Sequence, residues 1–196
     1  MNSVADLSLL RFYAATPDRW ADLELLFGPK GACAGCWCMY WRLKRSEFEL
    51  LKGEGNRQML KGMLDSGETP GILAYSADEP VGWCAVAPRQ EFSTLARSRI
   101  LKPVDDQPVW SIVCFFVARR YRRQGVTVRL LGAAVGFARQ NSARIVEGYP
   151  TDPRPGSASP DPFVYTGLVS AFKKAGFVEV ARRSETRPIM RYLITS

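Results

Sequence analysis

An α/β (α+β) fold, with strands and helices mixed in one domain, is what this sequence predicts, on three observations. Residues 109–118 are an apolar run rich in β-branched and aromatic side chains; it passes through a short basic turn into an Ala/Leu/Val-rich amphipathic stretch. Further short strand-like runs alternate with helix-patterned segments along the chain. Finally, 196 residues suffice for one sizeable α/β domain and are too few for two, so a single domain over residues 1–196 is expected.

In chain order, residues 7–15 read as a first strand. Thr16 is placed to cap a helix and Pro17 fits its first position. Trp20, Leu23, Leu25, Leu26 and Phe27 trace the apolar face of that helix, and Gly28-Pro29 stops it. Residues 31–45 are rich in Cys, Trp and Tyr and match no simple pattern, although Trp37, Tyr40 and Trp41 have the spacing of one helical face. Residues 46–65 predict one or two helices broken near Gly53 and Gly55. Residues 71–76 and 81–87 predict a strand pair around a turn at 77–80. A polar insert, 89–106, precedes the strand at 109–118 and the helix at 126–140. A short strand follows at 143–148, then a Pro/Ser/Gly-rich loop at 151–162. Residues 163–175 predict a helix that Gly176 terminates, and strands at 177–182 and 188–194 complete the chain.

Composition narrows the function classes. Net charge is +8, from 27 Lys+Arg against 19 Asp+Glu, which suits an anionic partner or simply a basic surface. The basic residues are spread, with clusters at Arg119–Arg123 and Arg182/Arg183, and no motif for specific nucleic-acid binding is present. No apolar run is long enough to span a membrane and no signal-peptide pattern opens the chain, so a cytoplasmic location is expected. Five cysteines, an odd number, point to reduced thiols. Histidine is absent, which removes Ser–His and Cys–His nucleophile schemes and every histidine metal ligand.

The turn at 119–125 carries the strongest signal. A helix start presents free N–H groups and partial positive charge, and anions bind there. Arg119, Arg120, Arg122 and Arg123 add charge-assisted donors for a phosphorylated ligand, or form a solvated basic turn. The run Val117-x-x-x-Tyr121-Arg122-x-x-Gly125-x-Thr127 resembles motif A of the GNAT N-acetyltransferase superfamily, the [Gln/Arg]-x-x-Gly-x-[Gly/Ala] pyrophosphate loop; Thr127 departs from its last position. Phe172-Lys173-Lys174-Ala175-Gly176-Phe177 resembles the end of motif B. The run Cys36-Trp37-Cys38-Met39-Tyr40-Trp41 resembles a bacterial subgroup of the same superfamily, which offers no substrate.

The resemblance implies a mixed, mostly antiparallel central sheet flanked by helices, with strands splayed where acetyl-CoA binds as co-substrate. Backbone groups at Phe115 and Val117 are then expected to pair with the pantetheine arm, as an added strand does. N–H groups from Arg123 through Gln124, Gly125, Val126 and Thr127 to Val128 are expected to hold the pyrophosphate, with Arg122 alongside and Phe172 as a further cofactor contact. Direct attack by an amine needs a base, an N–H that polarises the thioester carbonyl, and an acid for the thiolate. The position of the family's tyrosine acid is Phe172, which cannot donate a proton. Tyr165, expected two turns earlier on the same helix, is a displaced acid, a cofactor contact or a packing residue. Glu147, at the end of its strand, is the expected base, or else a surface glutamate on an edge. Asp152 and Asp161 are weaker candidates, and Tyr149 is placed to line the pocket.

Cys33, Cys36 and Cys38 invite a metal reading, but structural zinc takes four soft ligands and only three thiols cluster here, so no metal is expected and the thiols read as small buried hydrophobes. The aromatic run beside them suits either core or pocket wall. Three functions stand: acetyl transfer to a primary amine of a small molecule or peptide, a non-catalytic acyl-CoA-binding module of the same fold, and a nucleic-acid-associated basic protein. The acceptor and the oligomeric state are open, a homodimer among the possibilities.

Overall fold

The computed structural model describes residues 9–154 and 164–195. Seven strands, β1 (Leu10–Ala14), β2 (Gly71–Ser76), β3 (Glu79–Pro88), β4 (Trp110–Val117), β5 (Ile145–Gly148), β6 (Val178–Arg182) and β7 (Pro188–Leu193), form one sheet in the order β1-β2-β3-β4-β5-β7-β6. Every neighbouring pair is antiparallel except β4 and β5, which run parallel. Helices α1 (Trp20–Phe27), α2 (Arg45–Leu50), α3 (Glu54–Asp65) and α4 (Ser93–Arg97) precede the β4 crossover, and α5 (Val126–Gln140) and α6 (Val169–Lys174) follow it. Among the described residues no helix is long and apolar enough to cross a membrane.

The expected elements form, with three differences. Leu25, read as part of the apolar face of α1, is exposed, while Leu23, Leu26 and Phe27 are buried. The helix expected over 163–175 begins only at Val169; residues 164–168 are a turn, and Phe163 lies outside the described residues, as does Asp161. Trp37, Tyr40 and Trp41 do not share a helix. Trp37 and Cys38 lie at φ 41° and 55°, so the chain coils irregularly through 31–43, burying Trp37 and Trp41 and leaving Tyr40 exposed.

Two apolar layers sandwich the sheet. On one face α5 buries Val126, Leu130, Leu131, Ala134, Val135 and Ala138, the i, i+4, i+8 rows of one helical side. They pack with Ile72, Val86, Ile112 and Phe172. Each fully buried Leu or Val contributes about 1.5–3 kcal/mol relative to exposure, so this face fixes α5 against β3 and β4. Gly82 of β3 lets it approach, since a Cβ there would meet Leu130 at 3.1 Å. The opposite face carries α1, α3 and the 31–43 coil, with Phe27, Trp37, Trp83 and Leu60 in its core.

Strand β4 departs from regular alternation at one point. Ala85 pairs with Cys114 and Val86 with Ile112, leaving Val113 as an extra residue, a β-bulge. Val113 and Cys114 therefore face the α1 side together, while Ile112 and Phe115 face α5. The parallel pairing with β5 ends at the same place, Ile112 opposite Gly148. Beyond it β4 continues to Val117 along β3 alone and diverges from β5.

Candidate functional site

The divergence of β4 from β5 opens toward the turn that joins β4 to α5. A single turn of 3-10 helix, Arg119–Tyr121, carries the chain to Gly125, which caps α5 at φ 89° in the left-handed region that glycine adopts without strain. Arg123, also at φ 62°, takes the same region at a steric cost. The Val128 and Arg129 N–H groups donate back to the Gly125 carbonyl, so the helical ladder starts there and the Val126 and Thr127 N–H groups precede it. Val126 is buried under the helix, Thr127 half-buried and Arg123 exposed.

The four arginines of the turn are not equivalent. The Arg122 Nε donates to the Val117 carbonyl at 2.9 Å, which closes the turn on the end of β4 and also fills one of the backbone acceptors expected for pantetheine. Arg120 pairs with Glu79, which also accepts from the Tyr121 hydroxyl at 3.0 Å. Gln124 donates its amide N–H to the Arg120 carbonyl at 2.7 Å.

The Phe115 N–H, expected to be open, is engaged. It donates to the Tyr165 carbonyl at 2.6 Å, and on the other side of the turn Thr151 pairs with Leu168 as a parallel bridge. The Thr151 N–H donates to Gly167 and the Val169 N–H to Thr151. Residues 165–168 thus lie like a short strand in the gap between β4 and the continuation of β5. Gly167 makes this possible: at φ +83°, a Cβ there would meet Phe172 at 2.9 Å and Phe115 at 3.1 Å. Phe172 is fully buried, edge-on to Phe115 and Phe177. It is a wall of the core beneath the gap and carries no polar atom toward it.

Tyr165 and Phe172 do not share a helix, contrary to the expectation, because α6 starts after Tyr165. The Tyr165 ring meets Tyr40 edge-on at 6.5 Å on the α1 face of the sheet. Burial, reinforced by Tyr40, pushes its hydroxyl well above the ordinary tyrosine value against the opposing pull of Arg187. It therefore keeps its proton at neutral pH.

Glu147, the expected base, is fully buried, and both its oxygens are taken. Oε1 accepts from Arg89 at 3.0 Å and from the Tyr149 hydroxyl at 2.7 Å; Oε2 accepts from the Arg191 Nε at 2.8 Å. Arg191 also holds Asp105 through two hydrogen bonds of 2.6 and 3.0 Å. Burial and then the Glu147 charge push the Tyr149 hydroxyl far up. Both oxygens of this buried carboxylate are engaged by charge-assisted hydrogen bonds from two guanidinium groups, so it is built into the packing rather than presented to a ligand. Glu147 joins β5 and β7 to the 89–105 segment, and neither the edge position nor the base role expected of it fits that geometry. Sequence reasoning missed Arg89 and Arg191; a buried glutamate needs cationic partners, which is the signal that points to them. Asp152, the weaker candidate, pairs with Arg182 at 2.8 Å.

Among the described residues no group of three or more His, Cys, Asp or Glu is arranged to hold a metal ion. A concave surface of about 900 Å³ lies elsewhere, between the end of α1 and the start of α3, over Trp37.

The geometry has known counterparts. The Acetyltransferase (GNAT) family matches residues 36–154 of this chain. Among solved structures, an acetyltransferase of the GNAT family from Streptococcus agalactiae superposes with a TM-score of 0.56 at 11% identity, over 95% of this chain and 96% of that one. The PaiA N-acetyltransferase of Thermoplasma acidophilum, solved in complex with coenzyme A, gives 0.52 at 12% identity over 94% and 99%. The YncA protein of Salmonella typhimurium, solved with its cofactor acetyl-CoA, gives 0.52 at 9% identity over 94% of each chain. At such identities the likeness is one of fold. The sequence matches no curated protein.

Proposed function

This chain belongs to the acetyltransferase (GNAT) family, and from that premise we propose that it transfers an acetyl group from acetyl-CoA to a primary amine of a small molecule or peptide. The observation that carries the reading is the junction of β4 and α5. A strand that leaves its parallel neighbour at Ile112 leads through a basic turn to a glycine-capped, 15-residue helix. The pyrophosphate sits on the N–H groups between Arg123 and Val128, where the helix dipole and the basic side chains favour it. Arg122 positions the loop through Val117 and adds positive charge beside it. The pantetheine arm takes the gap along Phe115 and Val117, displacing the Tyr165 carbonyl from the Phe115 N–H. That N–H then polarises the thioester carbonyl as negative charge develops on oxygen.

In this reading the amine nitrogen bonds to the acetyl carbon and the C–S bond of the thioester breaks. The amine proton leaves to water, since Glu147 is engaged by Arg89 and Arg191. The departing thiolate takes a proton from water or from Tyr165, whose hydroxyl keeps its proton at neutral pH. Isothermal calorimetry tests the cofactor half: acetyl-CoA binds the native protein, and Gly125→Val, which puts a β-branched side chain at φ 89°, loses that binding with an unchanged circular dichroism spectrum. Unaltered affinity in that variant removes the assignment.

A second reading, an acyl-CoA-binding module without turnover, is favoured by one observation: Phe172, buried among Phe115 and Phe177, offers no acid where the family resemblance implies one. Release of free thiol from acetyl-CoA across a panel of amines separates the two. Binding with no release on any amine selects the module.

A further inference from the structure

The cysteine-rich coil, which the acetyl-transfer reading leaves unused, brings its thiols against the cofactor strand. The Cys38 sulfur lies 3.4 Å from the sulfur of Cys114, which is 76 residues away on β4 and immediately precedes Phe115. Both residues are buried, and all five cysteines are free thiols. Cys36, two residues before Cys38, is half-buried and donates to the Gly31 carbonyl at 3.6 Å; Cys33 is exposed on the same coil. A line of thiols therefore runs from the surface to the strand.

Three features distinguish this cluster from ordinary buried cysteines. The backbone that carries it is strained: Ala32, Ala34, Trp37 and Cys38 all have positive φ, four of the seven such non-glycine residues described. Strain of this kind costs about 1–3 kcal/mol per residue and gathers where a site is held in a particular geometry. The indole N–H of Trp83, in the same core cluster as Cys38 and Cys114, is fully buried and has no hydrogen-bond partner among the described residues. Cys84, by contrast, is equally buried on β3 but is governed by burial alone, with no thiol neighbour acting on it.

We propose that Cys38 and Cys114 form a dithiol site that hydrogen peroxide converts to an intramolecular disulfide, tying the 31–38 coil to β4 beside Phe115. The step balances with peroxide as the two-electron oxidant. The Cys36 thiol, half-buried and two residues from Cys38, attacks one peroxide oxygen; the O–O bond breaks, one water leaves and a sulfenic acid remains. Cys38 attacks that sulfur, the S–O bond breaks and a second water leaves. Cys114 then attacks the Cys38 sulfur, expelling Cys36 as a thiol. In sum, two thiols and one peroxide give one disulfide and two waters. The Cys38 sulfur and then burial hold the Cys36 thiol protonated, and the Cys114 sulfur together with burial does so for Cys38, so the dithiol is the resting state and oxidation speeds up as pH rises.

The test uses the full chain, folded and reduced, incubated with hydrogen peroxide, then denatured without reductant, alkylated and mapped by mass spectrometry. The expected result is loss of two hydrogen atoms, three cysteines still alkylated including Cys84, and one crosslinked peptide pair joining Cys38 to Cys114, reversed by dithiothreitol. Cys33→Ser keeps the crosslink; Cys36→Ser slows its formation several-fold; Cys114→Ser abolishes it. Should Cys114→Ser fail to fold, Cys38→Ser serves the same purpose. Five alkylated cysteines after peroxide, a crosslink between other pairs, or oxygen added to Cys38 or Cys114 without a crosslink overturns the proposal. None of these readouts depends on acetyl-CoA, so they stand apart from the assignment of the transfer activity.

Discussion

Replacing Glu147 by Ala removes the anion that Arg89 and Arg191 share and leaves two guanidinium groups facing each other in a buried space. Breaking a buried pair in this way costs about 3–5 kcal/mol, so urea denaturation of Glu147→Ala is expected to show a loss of that size; a change under about 1 kcal/mol contradicts the buried network. Asp105 sits at the outer end of the same network. The Arg191 guanidinium holds its carboxyl below the ordinary aspartate range. A lowered folded-state value means that Asp105 adds stability above its unfolded value, about 3.9, and that this is lost as pH falls through the folded value. Asp105→Asn should therefore flatten the acid side of a plot of melting temperature against pH and lower the plateau at neutral pH. Phe172→Tyr supplies the missing hydroxyl, but buries it among Phe115, Phe177 and Gly148. A loss of about 1–3 kcal/mol, the cost of an unpaired buried polar group, is expected by thermal melting.

Among the elements, the turn at 164–168 and the bulge in β4 matter most. The bulge at Val113 ends the β4–β5 pairing and turns Cys114 toward the thiol coil and Phe115 toward α5. The turn then fills the resulting gap, with Tyr165 on the Phe115 N–H and Leu168 bridged to Thr151. If acetyl-CoA takes the gap, the turn must withdraw first or concurrently. Stopped-flow binding is then expected to show an observed rate that levels off with cofactor concentration, because a conformational step limits it. A rate linear over the whole range means that the gap is open in solution. That α5 runs over Val126–Gln140 was readable from the sequence, since its apolar positions recur at helical spacing and Gly125 marks its start. The turn at 164–168 was not, because the helical pattern of residues 163–175 continues through it. Pairing with Phe115 and Thr151, neither of them a sequence neighbour, overrides local helix propensity there.

For the whole molecule, the order of strands and helices, the basic turn into α5 and the absence of histidine chemistry were all legible in local pattern. Periodicity, turn residues and motif spacing are properties of neighbouring residues, and a sheet with one parallel step accommodates them in few ways. The contacts made by Glu147 and by the buried thiols were hidden for the complementary reason. Glu147 reads as an exposed strand end until Arg89 and Arg191, 58 and 44 residues distant, close over it. Cys38 and Cys114 read as unrelated small hydrophobes until the strained coil folds back onto β4. The sequence by itself determined the family and the place of the basic, glycine-capped turn, since both rest on short-range geometry. Only the tertiary structure decided which carboxylate is free, which N–H is covered and which thiols touch, because burial and contact depend on chain segments that meet only when the sheet is assembled.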